Sequence, residues 1–131
     1  MRTSESSIEP IVAPSAPPAG GHYSQAVKHA GLIYVSGQLP VALDGSVGPS
    51  ATFEEQADQA ITNLLAVVEA AGSDPSRLLK VTVYVVGIEN WPVFNAIYAR
   101  RLGDVRPARA IVPVPELHHG YLVEIDAIAA A

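Results

Sequence analysis

The strands predicted for this chain have more apolar and β-branched surface than its two predicted helices can cover. Residues 53–71 have apolar side chains at three- and four-residue spacing and predict one helix, and NWPVFNAIYARRL predicts a second. Short strands around them give the order β-β-β-α-β-α-β-β, an α+β domain with a single sheet and both helices on one face. The other face is too apolar to remain in water, so we expect another copy of the chain to cover it. The predicted strands include LIYVSGQLPV, LLKVTVYVVG and residues 107–114 and 121–130.

The composition argues against several classes of protein. At 131 residues the chain is expected to form one domain, and it contains no cysteine for a disulfide, a thiolate metal site or a thiol nucleophile. Its net charge is −5 and its Lys and Arg residues are scattered, which argues against a nucleic-acid partner. No apolar run approaches the ~20 residues of a membrane span, and MRTSESSIEP lacks the apolar core of a signal peptide. We therefore expect a cytoplasmic protein with no membrane partner.

The first part of the chain differs in composition from the rest. IEPIVAPSAPPAGG is rich in Pro, Ala, Gly and Ser, and its apolar residues show no periodicity. We expect residues 1–16 to form a flexible arm that is dispensable for folding, and residues 17–131 to form the domain.

Two charged residues stand in apolar strands. Arg109 lies in RPARAIVPV, a run expected to be buried on both faces, and Glu124 lies in YLVEIDAIA. A buried guanidinium needs an anionic partner because it cannot lose its proton. One alternative is an ion pair between Arg109 and Glu124. In the other, Arg109 binds the carboxylate of a ligand, and Glu124 acts as an acid or base beside it.

Seven short motifs follow one another along the chain: GHYSQAV, YVSGQLP, VVEAAGS, KVTVYV, FNAIYARRL, RPARAIVPV and LVEIDAIAA. In this order they resemble the RidA/YjgF family over about residues 17–130. The resemblance implies a chorismate-mutase-like fold. It also implies a homotrimer whose sheets form a central barrel, with sites in the clefts between subunits.

The resemblance further implies an activity, the hydrolytic deamination of reactive 2-imino acids and enamines. Substrates of the 2-aminoacrylate type would give 2-ketoacids and ammonia, with no cofactor and no metal. Arg109 would bind the substrate carboxylate, while Glu124 would activate water and help to protonate the departing nitrogen. The other residues implied to bind substrate are Tyr23, Ser36 and Gly37 (through a backbone N–H), Asn95 and the backbone of Ile111.

The chain departs from the family pattern at two places, which leaves the substrate open. His22 stands where a proline usually precedes the tyrosine, and Ala110 and Ile111 replace a serine and a small residue after Arg109. The alternative function is that of a non-catalytic member with a regulatory or specialised biosynthetic role. Such a protein would bind a small carboxylate or a protein partner.

The remaining polar and aromatic candidates favour structural interpretations. His118 and His119 are adjacent and would point to opposite faces of a strand, so we expect a loop or a pocket rim and no shared metal. Trp91 and Tyr98 are expected to be core or interface residues. Asp126 shares a strand face with Glu124, and we expect a solvated or interface residue.

Overall fold

The computed structural model describes residues 7–131, in which the elements follow the order β-β-β-α-β-α-β-β. The six strands form one mixed sheet in the order β1-β2-β3-β6-β4-β5, and β4 and β5 run parallel. The α+β prediction, with two helices and one sheet, is confirmed. The elements are β1 Glu9–Ile11, β2 Ala26–His29, β3 Leu32–Gln38, α1 Phe53–Ala70, β4 Leu78–Val86, α2 Trp91–Leu102, β5 Ala108–Val114 and β6 Val123–Ala130.

Helix α1 begins and ends where its sequence provides local partners. The Thr52 hydroxyl accepts from the Glu55 backbone N–H at 3.1 Å, and the Glu55 carboxylate accepts from the Thr52 N–H at 3.0 Å. This capping box satisfies two of the donors that a helix leaves open at its start. Gly72, with φ +88°, follows the last turn in a conformation that favours glycine. Neither helix in the described part of the chain is long and apolar enough to cross a bilayer.

Alternation along β6 gives the sheet two different faces. Val123 and Ile125 are fully buried in the core shared with the helices, whereas Glu124 and Asp126 are only half-buried. We call the covered side the helix face and the other side the open face. The open face carries Tyr34 and Val112, which are 44% and 38% exposed in the single chain. A sheet face with large exposed apolar side chains is a candidate for contact with another copy.

Strand β5 does not have the burial that its composition predicted. It pairs only with β4, at the edge of the sheet, and none of its residues is fully buried. The expectation of a strand buried on both faces is therefore wrong for the single chain. Pro113 fits this edge position because a proline has no N–H to donate to a second neighbouring strand.

The expectation of a flexible arm over residues 1–16 is wrong for most of that segment. Strand β1 pairs with β2 in antiparallel register, and Ile11, Ala13 and Ala16 are buried in the core cluster. Residues 1–6 lie outside the described part of the chain. The packed domain therefore begins well before residue 17.

A buried glutamine holds this segment in place. The Gln25 side chain accepts from the Ala13 N–H at 2.6 Å and donates to the Ala13 and Pro17 carbonyls at 3.1 and 2.8 Å. The amide therefore makes three hydrogen bonds to backbone groups of the segment. Because buried polar groups are costly to leave unpaired, Gln25 and the segment stabilise each other.

Neighbouring substitutions in β1 test whether this segment contributes to stability. Ile11 is 7% exposed and Val12 is 80% exposed. Ile11→Ala should lower the free energy of unfolding by about 2 kcal/mol or more, because it leaves a cavity in the core. Val12→Ala should change it by no more than ~0.5 kcal/mol. Thermal and urea unfolding at one protein concentration would measure both, and equal effects would show that β1 does not pack as described.

Candidate functional site

A cavity of about 590 Å³ opens beside β3 and β6. It brings together four of the seven candidate site residues: Tyr23, Ser36, Gly37 and Glu124. The segment held by Gln25 supplies one wall. The complete lining is Pro17, Pro18, Ala19, Gly20, Gly21, Tyr23, Gln25, Ser36, Gly37, Gln38, Leu39, Val41, His118, His119 and Glu124.

The carboxylate of Glu124 lies directly against the backbone of Gly37. A Cβ atom built at Gly37 would lie 2.5 Å from the nearer carboxylate oxygen and 3.0 Å from the carboxyl carbon of Glu124. Any side chain at residue 37 would thus displace the carboxylate. Glycine at this residue therefore allows the carboxylate to keep this position, at an irregularity in the β3–β6 pairing between Val35 and Gln38.

Burial and a neighbouring charge favour the protonated form of Glu124. Desolvation raises the pKa of this carboxyl, Asp126 on the same strand face raises it further, and the charge of His118 acts in the opposite direction. Burial also raises the pKa of Asp126. A hydrogen bond that its carboxylate accepts from the Tyr84 hydroxyl at 3.3 Å acts in the opposite direction. A carboxyl with a raised pKa is suited to both accept and return a proton.

Tyr23 and Ser36 have partners within the chain. The Tyr23 hydroxyl accepts from the Gly20 N–H at 3.1 Å, and half of the residue is exposed. The Ser36 hydroxyl donates to the Ser24 carbonyl at 2.6 Å, and the Ser36 N–H donates to the Gln25 carbonyl at 3.0 Å. Since both Ser36 donors are engaged, this residue shapes the cavity wall, and its own N–H is not directed at a ligand.

Arg109 lies on the other side of the sheet. It stands beside Val81 of β4, whose side chain is buried on the helix face. Its guanidinium donates to the Asn95 side-chain carbonyl at 2.9 Å and lies 4.9 Å from the Tyr98 ring centroid and 5.6 Å from that of Trp91. These are contacts of the cation–π type.

The ion-pair alternative is excluded within the chain. The ion pair found among residues 7–131 joins Arg101 and Asp58. Arg109 and Glu124 occupy opposite faces of the sheet. No described carboxylate neutralises the Arg109 guanidinium. Its charge is therefore available to an anion from outside this chain.

The seven candidate residues consequently form two groups. Ile111 stands beside buried Val83 and belongs with Arg109 and Asn95 on the helix face. We call these three residues the arginine half-site. We call Glu124 and the cavity residues Tyr23, Ser36 and Gly37 the glutamate half-site. One chain does not bring the two half-sites together.

The aromatic support of Arg109 was missed at the sequence level, where Trp91 and Tyr98 were expected only in the core or an interface. Trp91, Asn95 and Tyr98 are spaced four and three residues apart, which puts them on one side of a helix. From this spacing, the sequence alone indicates that the three residues share one side of the helix. Tyr98 is buried, and its hydroxyl has no hydrogen-bond partner among the described residues.

The histidines lie where a loop or rim was expected. His118 and His119 form a short turn before β6, and both line the cavity. His22 is exposed and is not part of the lining. In the described part of the chain, no three His, Cys, Asp or Glu residues cluster in a way that could hold a metal ion.

The chain matches known proteins over nearly its whole length. The family model described as Endoribonuclease L-PSP matches residues 13–131. The RutC family protein y4sK of Sinorhizobium fredii is 42% identical over 123 residues, which cover 92% of this chain and 96% of that protein.

Solved structures agree with this match. A protein of the Rid family, YyfA from Yersinia pestis, superposes with a TM-score of 0.89 at 37% identity, covering 95% of this chain and all of that one. E. coli TdcF, solved with bound serine, gives 0.88 at 30% identity, covering 94% and 98%. The chain thus belongs to the Endoribonuclease L-PSP family, the RidA/YjgF family that its motifs resemble.

Proposed function

We propose that this protein hydrolyses reactive 2-imino acids and their enamine tautomers to 2-ketoacids and ammonia. The observation that carries the proposal is the Arg109 guanidinium, which lies on two aromatic rings, is oriented by Asn95 and has no described carboxylate partner. A guanidinium in this state matches a planar carboxylate through two parallel hydrogen bonds. Small 2-imino acids supply such a carboxylate next to the reacting carbon.

Glu124 supplies the proton transfer that hydrolysis needs. Its carboxylate, in a cavity and with a raised pKa, can take a proton from an attacking water and return it to the departing nitrogen. An imine carbon is already electrophilic, so positioning and proton transfer suffice. No step requires a cofactor.

The two half-sites meet if neighbouring copies face each other. In a closed ring, the arginine half-site of one copy would lie against the glutamate half-site of the next, and the same contact would repeat. The partly exposed open face would be covered in the same assembly. We propose a homotrimer of this kind, the assembly that the family resemblance implies, with a chorismate-mutase-like central barrel.

The alternative is a protein that binds a small carboxylate without converting it. Serine bound to TdcF supports a small amino-acid-like ligand and fits binding as well as turnover. The presence of Glu124 in the cavity favours turnover, because a carboxyl with a raised pKa can transfer protons during hydrolysis, whereas the binding of a small carboxylate does not need one. When ionised, Glu124 would repel the phosphates of an RNA ligand. Imino acids generated in situ by an amino-acid oxidase, with their decay followed after protein is added, separate turnover from binding.

The first prediction concerns Arg109. Arg109→Ala should lower kcat/KM for imino acids by roughly 100-fold or more, since two charge-assisted hydrogen bonds are worth about 3–6 kcal/mol. Arg109→Lys should restore little, because an ammonium cannot form the planar pair. Stability should fall by about 2–4 kcal/mol, with the loss of the Asn95 bond and the two aromatic contacts. The exposed Arg106→Ala is the control, and full activity of Arg109→Ala would refute the proposed binding role.

The second prediction concerns the assembly. Arg109→Ala and Glu124→Gln should each be inactive, but subunits exchanged between them should regain activity. If every site takes its arginine from one copy and its glutamate from the next, random mixing at equal amounts makes about one quarter of the sites intact. The mixture should then show about a quarter of the wild-type rate. Sites formed within single chains would give none, and light scattering would check that a trimer is present.

The third prediction concerns pH. Asp126 raises the pKa of Glu124, so Asp126→Asn should lower that pKa while leaving an acceptor for the Tyr84 hydroxyl. A general base works above its pKa, so the acid limb of kcat/KM should move to lower pH. The same change at exposed Asp104 should leave the limb in place. An unmoved limb in Asp126→Asn would show that Glu124 is not the titrating group.

A further inference from the structure

The turn at the rim of the cavity carries two histidines that the proposed mechanism does not use. His118 and His119 both line the cavity that contains Glu124, and their ring centroids are 3.7 Å apart. Imidazole is the side chain best suited to exchange protons near neutral pH. Two such groups therefore stand beside the carboxylate that is assigned the proton transfer.

This turn is fixed to the rest of the domain. The Tyr121 N–H donates to the His118 carbonyl at 3.3 Å, and the Leu122 N–H donates to the buried Gln56 side chain at 2.8 Å. His119 has φ +61° and ψ 12°, a left-handed conformation that a residue with a Cβ adopts at a cost. Gln56 and buried Tyr121 therefore anchor the chain directly after the turn, next to the cavity that the histidines line.

Of the two imidazoles, His118 acts on Glu124. His118 and Glu124 line the same cavity, and a positive charge on His118 opposes the effects of burial and of Asp126 on the Glu124 pKa. The other titratable groups that line the cavity are Tyr23, whose hydroxyl is bonded to Gly20, and His119, whose ring packs on that of His118. His118 is thus the imidazole that the cavity places with the carboxylate and whose charge acts on its pKa.

We propose that His118 is a second proton carrier of this site and works together with Glu124 on the imino-acid substrate; the inference rests on the proposed function. In the first half of the reaction, water adds to the imine carbon. Its proton passes to Glu124, and the imine nitrogen takes a proton from the His118 imidazolium. In the second half, the new hydroxyl returns a proton to His118, and the carbon–nitrogen bond breaks. The nitrogen leaves as ammonia with the proton held by Glu124, so both groups regain their starting states.

Replacement and chemical rescue test this role. His118→Ala should lower kcat by roughly 100-fold, the scale of one general acid, with little change in KM. Because the turn is exposed, added imidazole should enter the vacated space and restore the rate by about tenfold or more in a concentration-dependent way. His118→Gln, which fills the space without carrying a proton, should stay slow. His22→Ala, an exposed histidine outside the lining, should keep the wild-type rate and not respond to imidazole.

A second readout does not depend on turnover. Carbon-detected NMR titration should show a higher Glu124 pKa in His118→Ala than in the wild type, because the favourable charge is gone. Unfolding curves check that the variants fold. An unchanged kcat in His118→Ala, or a slow variant that imidazole does not restore, would overturn the role of His118 alone. A wild-type protein without imino-acid turnover would overturn the proposed function and this inference together.

Discussion

The last strand of the chain lies at the centre of the sheet, and its two-residue alternation determines what each side of the molecule can do. Val123 and Ile125 close the core under the helices, which forces Glu124 and Asp126 to the opposite face. A shift of one residue in pairing would bury both carboxylates and expose the core. The hydrophobic effect therefore fixes the position of the charged site, and the raised Glu124 pKa is a consequence of that position.

The sheet also separates the two charged residues for which the sequence suggested an ion pair. Arg109 is held on the helix face by stacking on Trp91 and Tyr98 and by Asn95, whereas Glu124 rests against Gly37 on the other side. Keeping them apart prevents mutual neutralisation. Each charge stays available for a ligand, and in the proposed assembly a contact between copies would bring them together. The proposed chemistry and the proposed assembly thus depend on one geometric fact.

The parts of the structure that the sequence predicted are those that follow from local periodicity. Both helices, the long strands and the faces of β6 follow from repeats of 3.6 and 2 residues, which depend only on near neighbours. The order β3-β6-β4-β5 is set by distant pairings that leave no local trace, so the separation of Arg109 from Glu124 was not predicted. Strand β1 was missed because three residues are too few to show a period. The segment after β1 is attached to the domain through Gln25, a polar residue whose partners lie twelve and eight positions away.

A central strand that follows all its sheet neighbours in the sequence also affects how the domain forms. Leu32 pairs with Ala130, and Val83 pairs with Ile125, so β3 and β4 acquire their common neighbour only after β6 has been synthesised. Until β6 is in place, each of the two strands presents an unpaired edge and apolar side chains to the surroundings. Completion of the sheet must therefore wait until all its other strands have been made. Shielding of these edges during that interval would favour folding over aggregation.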